Sequence, residues 1–193
     1  MIKLRQWQEE CKEKALNWFN KEKHFLINAA PGSGKTIAAI AITKELIEKD
    51  LIDRVIIIAP RTKVVEQWAE EHNTITGREI YPVTAKDGDL EYCATDLCAT
   101  WNSIQNMQDA IQAICKSSRT LVILDEQHHA AVLAVWGRSA NNAFNEAEFT
   151  IILSGTPIRT DGSETSFLAY DDYGAIAHPE EGTYTLSYGD AVR

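Results

Sequence analysis

One run of residues is suited to phosphate chemistry by type and spacing. Ala29-Ala30-Pro31-Gly32-Ser33-Gly34-Lys35-Thr36 places two glycines, a lysine and a threonine between an apolar run and a helical pattern. Gly32 and Gly34 allow backbone N–H groups to turn inward around a phosphate, and the following helix start adds its partial positive charge. Lys35 is then placed to reach the outer phosphates, and the Thr36 hydroxyl to ligate Mg2+, with Pro31 and Ser33 completing the loop. The sequence departs from the G-x-x-x-x-G-K-[ST] template at the first glycine, where Ala29 stands.

A second run, Leu121-Val122-Ile123-Leu124-Asp125-Glu126-Gln127-His128-His129, sets two carboxylates directly after four apolar residues. That order puts Asp125 and Glu126 at the carboxyl end of a buried strand, where open α/β sheets bind their ligands. Asp125 is the candidate to hold Mg2+ through water, and Glu126 the candidate general base that polarises an attacking water. The adjacent histidines point in different directions and have no third ligand at helical spacing. A metal site is the weaker reading, and His128 is read as coupling the nucleotide to a neighbouring motif.

Elements must position these groups. Four near-continuous apolar, β-branched runs, Phe25 to Asn28, Val55 to Ala59, Leu121 to Leu124 and Phe149 to Leu153, predict strands buried on both faces. Glu79 to Thr84 and Asp96 to Thr100 are weaker strand candidates. Helical patterns cover Gln6 to Phe19, Lys35 to Lys49, Lys63 to His72, Trp101 to Cys115 and a stretch within Ala140 to Glu146. Alternating strands and helices build βαβ units, so the predicted fold class is α/β, a doubly wound, mostly parallel sheet with helices on both faces. After Asp161 the chain turns to glycines, acids and tyrosines with weak periodicity. The division expected is a domain over 1–160 and an irregular segment over 161–193 that packs on the domain or leads to a further domain absent from this chain.

Composition narrows the classes of function. The chain has 193 residues, 45% of them hydrophobic, enough for one unaided core. Its net charge of -9 argues against gripping nucleic acid by bulk electrostatics, so any such contact has to be local. Cys11, Cys93, Cys98 and Cys115 form no C-x-x-C pair and read as buried free thiols rather than a zinc site. No stretch approaches the roughly 20 apolar residues of a membrane span, and no signal-peptide core is present, so the expected location is cytoplasmic.

Taken together, Ala-x-x-Gly-x-Gly-Lys-Thr and Asp-Glu-x-His-His resemble the superfamily 2 helicases and translocases of the DExH branch. That resemblance spans roughly Leu4 to Gly162 and implies a RecA-like P-loop NTPase domain that uses ATP and Mg2+. Leu4-Arg5-Gln6-Trp7-Gln8-Glu9-Glu10 is similar to the adenine-recognising segment, which implies that Gln8 bonds the base edge; an amphipathic helix start would read the same. Ile58-Ala59-Pro60-Arg61-Thr62-Lys63-Val64-Val65-Glu66-Gln67-Trp68 resembles the first backbone-contacting motif, which implies Arg61 and Thr62 on nucleic acid phosphates. Thr100-Trp101-Asn102-Ser103 resembles the next, although a helix N-cap has the same appearance. Leu153-Ser154-Gly155-Thr156-Pro157-Ile158-Arg159 resembles the coupling motif, which implies that Ser154 and Thr156 bond the DExH segment.

The resemblance further implies a first motor domain acting on nucleic acid, DNA favoured over RNA, of restriction-enzyme or repair type. The second RecA-like domain, bearing the arginine finger, has no room in this chain, and Arg138 and Arg159 lie in or near first-domain motifs. The chain is therefore expected to be a fragment of a longer protein and nearly inactive alone. Two rivals stand beside this reading: a non-catalytic nucleotide-binding module and a P-loop phosphotransferase.

Overall fold

The computed structural model describes residues 2–29, 32–83, 96–104, 107–125, 144–154 and 179–186. Each apolar run becomes a strand: β1 (His24–Asn28), β2 (Arg54–Ala59), β5 (Thr120–Asp125) and β6 (Phe149–Ser154). Two shorter strands are β3 (Ile80–Pro82) and β4 (Asp96–Thr100), and a seventh, β7 (Thr183–Thr185), closes one edge. The sheet order is β3-β4-β2-β5-β6-β1-β7, and every pairing in it is parallel. All strand carboxyl ends therefore share one edge.

Alternate residues of a strand face opposite sides, and here both sides are apolar. Phe25, Ile27, Val55, Ile57, Leu121, Ile123, Ile151 and Leu153 pack with the residues of α1 (Gln6–Trp18), α2 (Lys35–Glu48) and α3 (Thr62–Thr76). Leu26, Ile56, Ile58, Val122, Leu124 and Ile152 pack on the other side with Phe144 and residues of α4 (Trp101–Ile104) and α5 (Gln108–Ser117). The continuous apolar runs are thus the trace of two cores sharing one sheet.

Three expectations change. The helix anticipated over Trp101 to Cys115 is two helices, α4 and α5. Ile104 and Ile111 are seven residues apart, a spacing that a single helix would also place on one face, so the apolar period does not reveal the break. The strand anticipated over Glu79 to Thr84 is three residues long within the described range. The tail expected to be irregular supplies β7, which pairs with β1 from Leu26↔Thr183 to Asn28↔Thr185. Thr-Tyr-Thr suits a strand by propensity but shows no apolar alternation, because at this edge it is only partly covered. The pattern within Ala140 to Glu146 lies mostly outside the described residues, as does Cys93. Cys11, Cys98 and Cys115 are buried free thiols whose pKa is pushed up to about 12 by burial.

At the amino edge of β4, fully buried Asp96 anchors four groups. Its Oδ1 accepts from the Val55 N–H at 3.0 Å and from Arg78 Nη2 at 2.7 Å; its Oδ2 accepts from Arg78 Nε and His72 Nε2, each at 2.8 Å. Burial alone would raise the Asp96 carboxyl, but the hydrogen bonds from His72 and Arg78 outweigh it and hold it below the usual carboxylate range. A depressed folded pKa means that this stabilisation is complete above the unfolded value of about 3.9 and is lost as pH falls through the folded one. Asp96→Ala strands the partners and is expected to cost about 3 kcal/mol, the lower end for a broken buried pair because Arg78 is partly exposed. Thermal melts should show a fall on the order of 10 °C at neutral pH, shrinking as the medium is acidified. Equal melting of the two proteins at pH 7 would remove Asp96 from the anchor.

Candidate nucleotide site at the carboxyl edge of the sheet

β1 delivers the chain to the phosphate loop beside β6: the Ala29 N–H donates to the Ser154 carbonyl at 3.1 Å. Residues 30–31, Pro31 among them, lie outside the described range. Gly32 and Gly34 have φ of 77° and 97°, the left-handed region that glycine tolerates, and α2 starts at once with Lys35. The start of α1 braces this loop from outside. Arg5 Nη1 donates to the Ser33 carbonyl at 3.3 Å, and Gln8 Nε2 donates to the Gly34 carbonyl at 3.0 Å. Gln8 Oε1 in turn accepts the Arg5 N–H at 2.8 Å, one arm of a capping box. Gln8, expected on sequence to meet a base edge, is 4% exposed and ties α1 to the loop. Each end of its amide keeps one further hydrogen-bonding capacity.

Two strands away, β5 ends on Asp125. Its Oδ1 lies 3.8 Å from Lys35 Nζ, and both side chains are below a tenth exposed. Oδ2 accepts from Trp68 Nε1 at 2.9 Å, and the Asp125 main-chain carbonyl accepts from Trp101 Nε1 at 3.0 Å. Thr36, in the first turn of α2, is half-buried. Ser154 ends β6 between the other two strands, buried and in register with Asn28. Thus Gly32, Ser33, Gly34, Lys35, Thr36, Asp125 and Ser154 gather at one edge. A hard oxygen donor beside an ammonium and a helix N-terminus is a donor set that fits a Mg2+-bound polyphosphate. Glu126, His128 and Thr156 follow Asp125 and Ser154 in the sequence and lie outside the described residues. No cluster of three metal-ligating side chains occurs among the described residues.

The residues expected on nucleic acid occupy the same edge. Arg61 and Thr62 are exposed where α3 begins beyond β2. Thr100 ends β4, and its Oγ1 accepts the Ser103 N–H at 3.2 Å, capping α4. Trp101 does not share that exposure: at 4% its ring is turned inward, toward Asp125. Trp68 and Arg5 stand within segments that the sequence singles out, but sequence reasoning gave neither a role of its own. Trp68 lies on the apolar stripe of α3 with Val65, where a tryptophan reads as core, and nothing in its spacing shows that its N–H meets a carboxylate.

β6 stands between the phosphate-loop strand and the acidic strand, and the fold is RecA-like, shared with solved restriction-enzyme and helicase domains. The chain belongs to the family described as the Type III restriction enzyme, res subunit, whose model matches residues 1–159. It is 28% identical over 192 residues to Uncharacterized protein Rv2917 of Mycobacterium tuberculosis, covering 98% of this chain and 31% of that protein. It is 29% identical over 158 residues to Probable helicase D10 of Escherichia phage T5, covering 82% of this chain and 32% of that one. The chain therefore spans about a third of the length of these relatives. Among solved structures, the Type ISP restriction-modification enzyme LlaGI, a nuclease-deletion mutant in complex with a DNA substrate mimic, superposes with a TM-score of 0.69 at 20% identity. That superposition covers 99% of this chain and 20% of the enzyme and concerns the fold.

A Cβ at position 34 would stand 2.8 Å from Gln8 Nε2 in addition to its backbone strain, whereas one at position 32 would meet nothing within 4 Å. Gly34→Ala is expected to cost about 3 kcal/mol, from strain and a displaced hydrogen bond. Gly32→Ala should cost only about 1 kcal/mol. Denaturant unfolding of both variants checks the order, and equal losses would show that the Gln8 brace contributes nothing.

Proposed function

We propose that this chain is the ATP-hydrolysing first motor domain of a translocase or helicase that moves on DNA. The observation that carries the proposal is the Lys35–Asp125 pair, two nearly buried opposite charges 3.8 Å apart at the carboxyl edge of a parallel sheet, beside a phosphate loop. Lys35 neutralises the outer phosphates, Thr36 and Asp125 hold the cation, and the backbone of Gly32 to Thr36 cradles the chain of phosphates. Held by Thr36 and Asp125, a bound Mg2+ would supply neutralisation of the phosphate charge. Glu126 takes the proton of the attacking water, since it follows Asp125 directly at the strand end. Gln8 reaches the adenine edge with its remaining hydrogen-bonding capacity while bracing the loop.

Arg61, Thr62 and Thr100 contact the nucleic acid backbone, contacts that position the track without reading its sequence. The net charge of -9 makes such contacts local. Ser154, Thr156 and His128 pass the state of the γ-phosphate to them. DNA is favoured as the track because LlaGI was solved with a DNA substrate mimic. Hydrolysis at full rate also takes an arginine finger, worth about 10³ to 10⁵ in rate, which we assign to a second RecA-like domain outside this chain. The cations of the described site are Lys35 and Arg5, and the Arg5 guanidinium is bound to Ser33.

Binding of a fluorescent ATP analogue and steady-state phosphate release, each with and without single-stranded and duplex DNA, test the reading. The expected result is Mg2+-dependent binding, weakened at least about 10-fold in Lys35→Ala, with turnover close to background. In a longer protein that includes the second domain, Glu126→Gln should bind nucleotide normally and hydrolyse at least about 100-fold more slowly. Unchanged binding in Lys35→Ala would overturn the site. Binding with no DNA-stimulated turnover in the longer protein would favour a non-catalytic nucleotide module.

A further inference from the structure

Asp125 is held from both faces of the sheet. Its side chain lies on the side covered by α1, α2 and α3, following Leu121 and Ile123, and there Trp68 donates to Oδ2 at 2.9 Å. Its main-chain carbonyl is taken from the other side by Trp101, at 3.0 Å, a ring embedded in the second core with Ile104 and Leu124. Both rings are nearly inaccessible, at 1% and 4% exposure. Indole Nε1 is a donor only, so neither tryptophan can compete with Asp125 for a cation; each can only aim it.

The terminal torsion of an aspartate is broad and nearly two-fold, so which oxygen faces a ligand is not fixed by the rotamer alone. The N–H of Trp68 fixes it: Oδ2 is engaged on the α3 side, and Oδ1 is turned toward Lys35. Trp101 fixes the height of the strand end. The same two tryptophans belong to the segments that begin at exposed Thr62 and half-buried Thr100. Trp68 lies six residues into α3 from Thr62, about 9 Å along the helix axis, and Trp101 directly follows Thr100.

We propose that Trp68 and Trp101 are positioning residues of the cation site, setting Asp125 by side chain and by main chain, and that they join it rigidly to the nucleic-acid-facing starts of α3 and α4. The proposal rests on the reading of Lys35 and Asp125 as a Mg2+–nucleotide site. Its consequence is reciprocal: a contact that shifts α3 moves the donor on Oδ2, so an oligonucleotide changes the Mg2+ requirement and Mg2+ changes oligonucleotide affinity by the same factor.

Trp68→Phe and Trp101→Phe keep an aromatic ring and delete the donor. The readout is the Mg2+ concentration at half-maximal binding of a fluorescent ATP analogue to the full chain, beside the analogue's affinity in EDTA. For Trp68→Phe the midpoint is expected to rise about 10-fold or more, within the 10–100-fold range of outer-shell donors at metal sites, with the EDTA affinity unchanged. For Trp101→Phe the rise should be smaller, because the carboxylate keeps its own donor. In the wild type a single-stranded oligonucleotide should shift the midpoint, and Trp68→Phe should abolish that shift. Replacing Trp68 by β-(3-benzothienyl)alanine, which keeps the ring outline and puts sulfur in place of N–H, should reproduce the effect if the phenylalanine variant folds poorly. An unchanged midpoint in the folded variants, or equal losses with Mg2+ and with EDTA, would overturn the positioning role. Failure of the wild type to bind more tightly with Mg2+ than in EDTA would instead overturn the site reading, and this inference with it.

Discussion

Keeping Lys35 and Asp125 together out of water is the constraint on which the rest of this domain depends. At 3.8 Å and an effective dielectric of 20, their attraction is about 4 kcal/mol. Taking each ion out of water costs several kcal/mol, so the pair does not stabilise the fold by itself. Its geometry has to be imposed by what surrounds it. α2 presents Lys35 from its first turn, β5 presents Asp125 from its last residue, the indole donor of Trp68 lowers the cost of burying the carboxylate, and that of Trp101 holds the Asp125 main-chain carbonyl. A site prepared at such cost makes sense where a highly charged guest is to be received.

The parallel sheet makes that imposition possible. With every described strand running the same way, Asn28, Ala59, Thr100, Asp125 and Ser154 all arrive at one edge. β6 stands between β1 and β5, so the ends of those two strands are about 10 Å apart, two strand spacings. The phosphate loop and the length of the Lys35 side chain bridge that gap. Ser154, ending the strand between, is in register with Asn28 and gives its carbonyl to the Ala29 N–H. A displacement of β6 would therefore be felt at the entry to the loop without any new contact having to form.

What the sequence made legible follows from the same physics. Strands buried on both faces have to be apolar at successive positions, so Phe25, Ile57, Val122 and Ile152 announce the sheet directly. Gly-Ser-Gly-Lys-Thr and Asp-Glu lie at transitions out of such runs, which places them at strand ends before any coordinates are known. Features that depend on tertiary direction were hidden. Trp101 follows Thr100, and only the packing of α4 turns one toward Asp125 while the other caps the helix. Trp68 reads as an apolar stripe residue because its N–H is a small part of a large ring. Gln8 carries both a brace to Gly34 and the chemistry for a base edge, and one letter does not separate the two. β7 escaped because three residues, two half-buried and one exposed, are too few for any period.

The two edges of the sheet divide the work. At the amino edge, Asp96 locks the start of β4 to His72, Arg78 and β2, and Arg119, before β5, pairs with Asp53, before β2, at 2.8 Å. Hydrogen bonds from Arg119 push the Asp53 carboxyl down to about 2, although the pair is exposed and screened. These contacts fix the strands at the end where nothing needs to move. β4 is five residues long, anchored at Asp96 and ending in the turn that carries Thr100 and Trp101. β5 is tethered at Arg119 and ends in Asp125. A strand held at one end transmits a small rotation to the other, and the groups waiting there are the donors and the carboxylate of the candidate site. The ion pairs at the amino edge thereby give the carboxyl edge something rigid to work against.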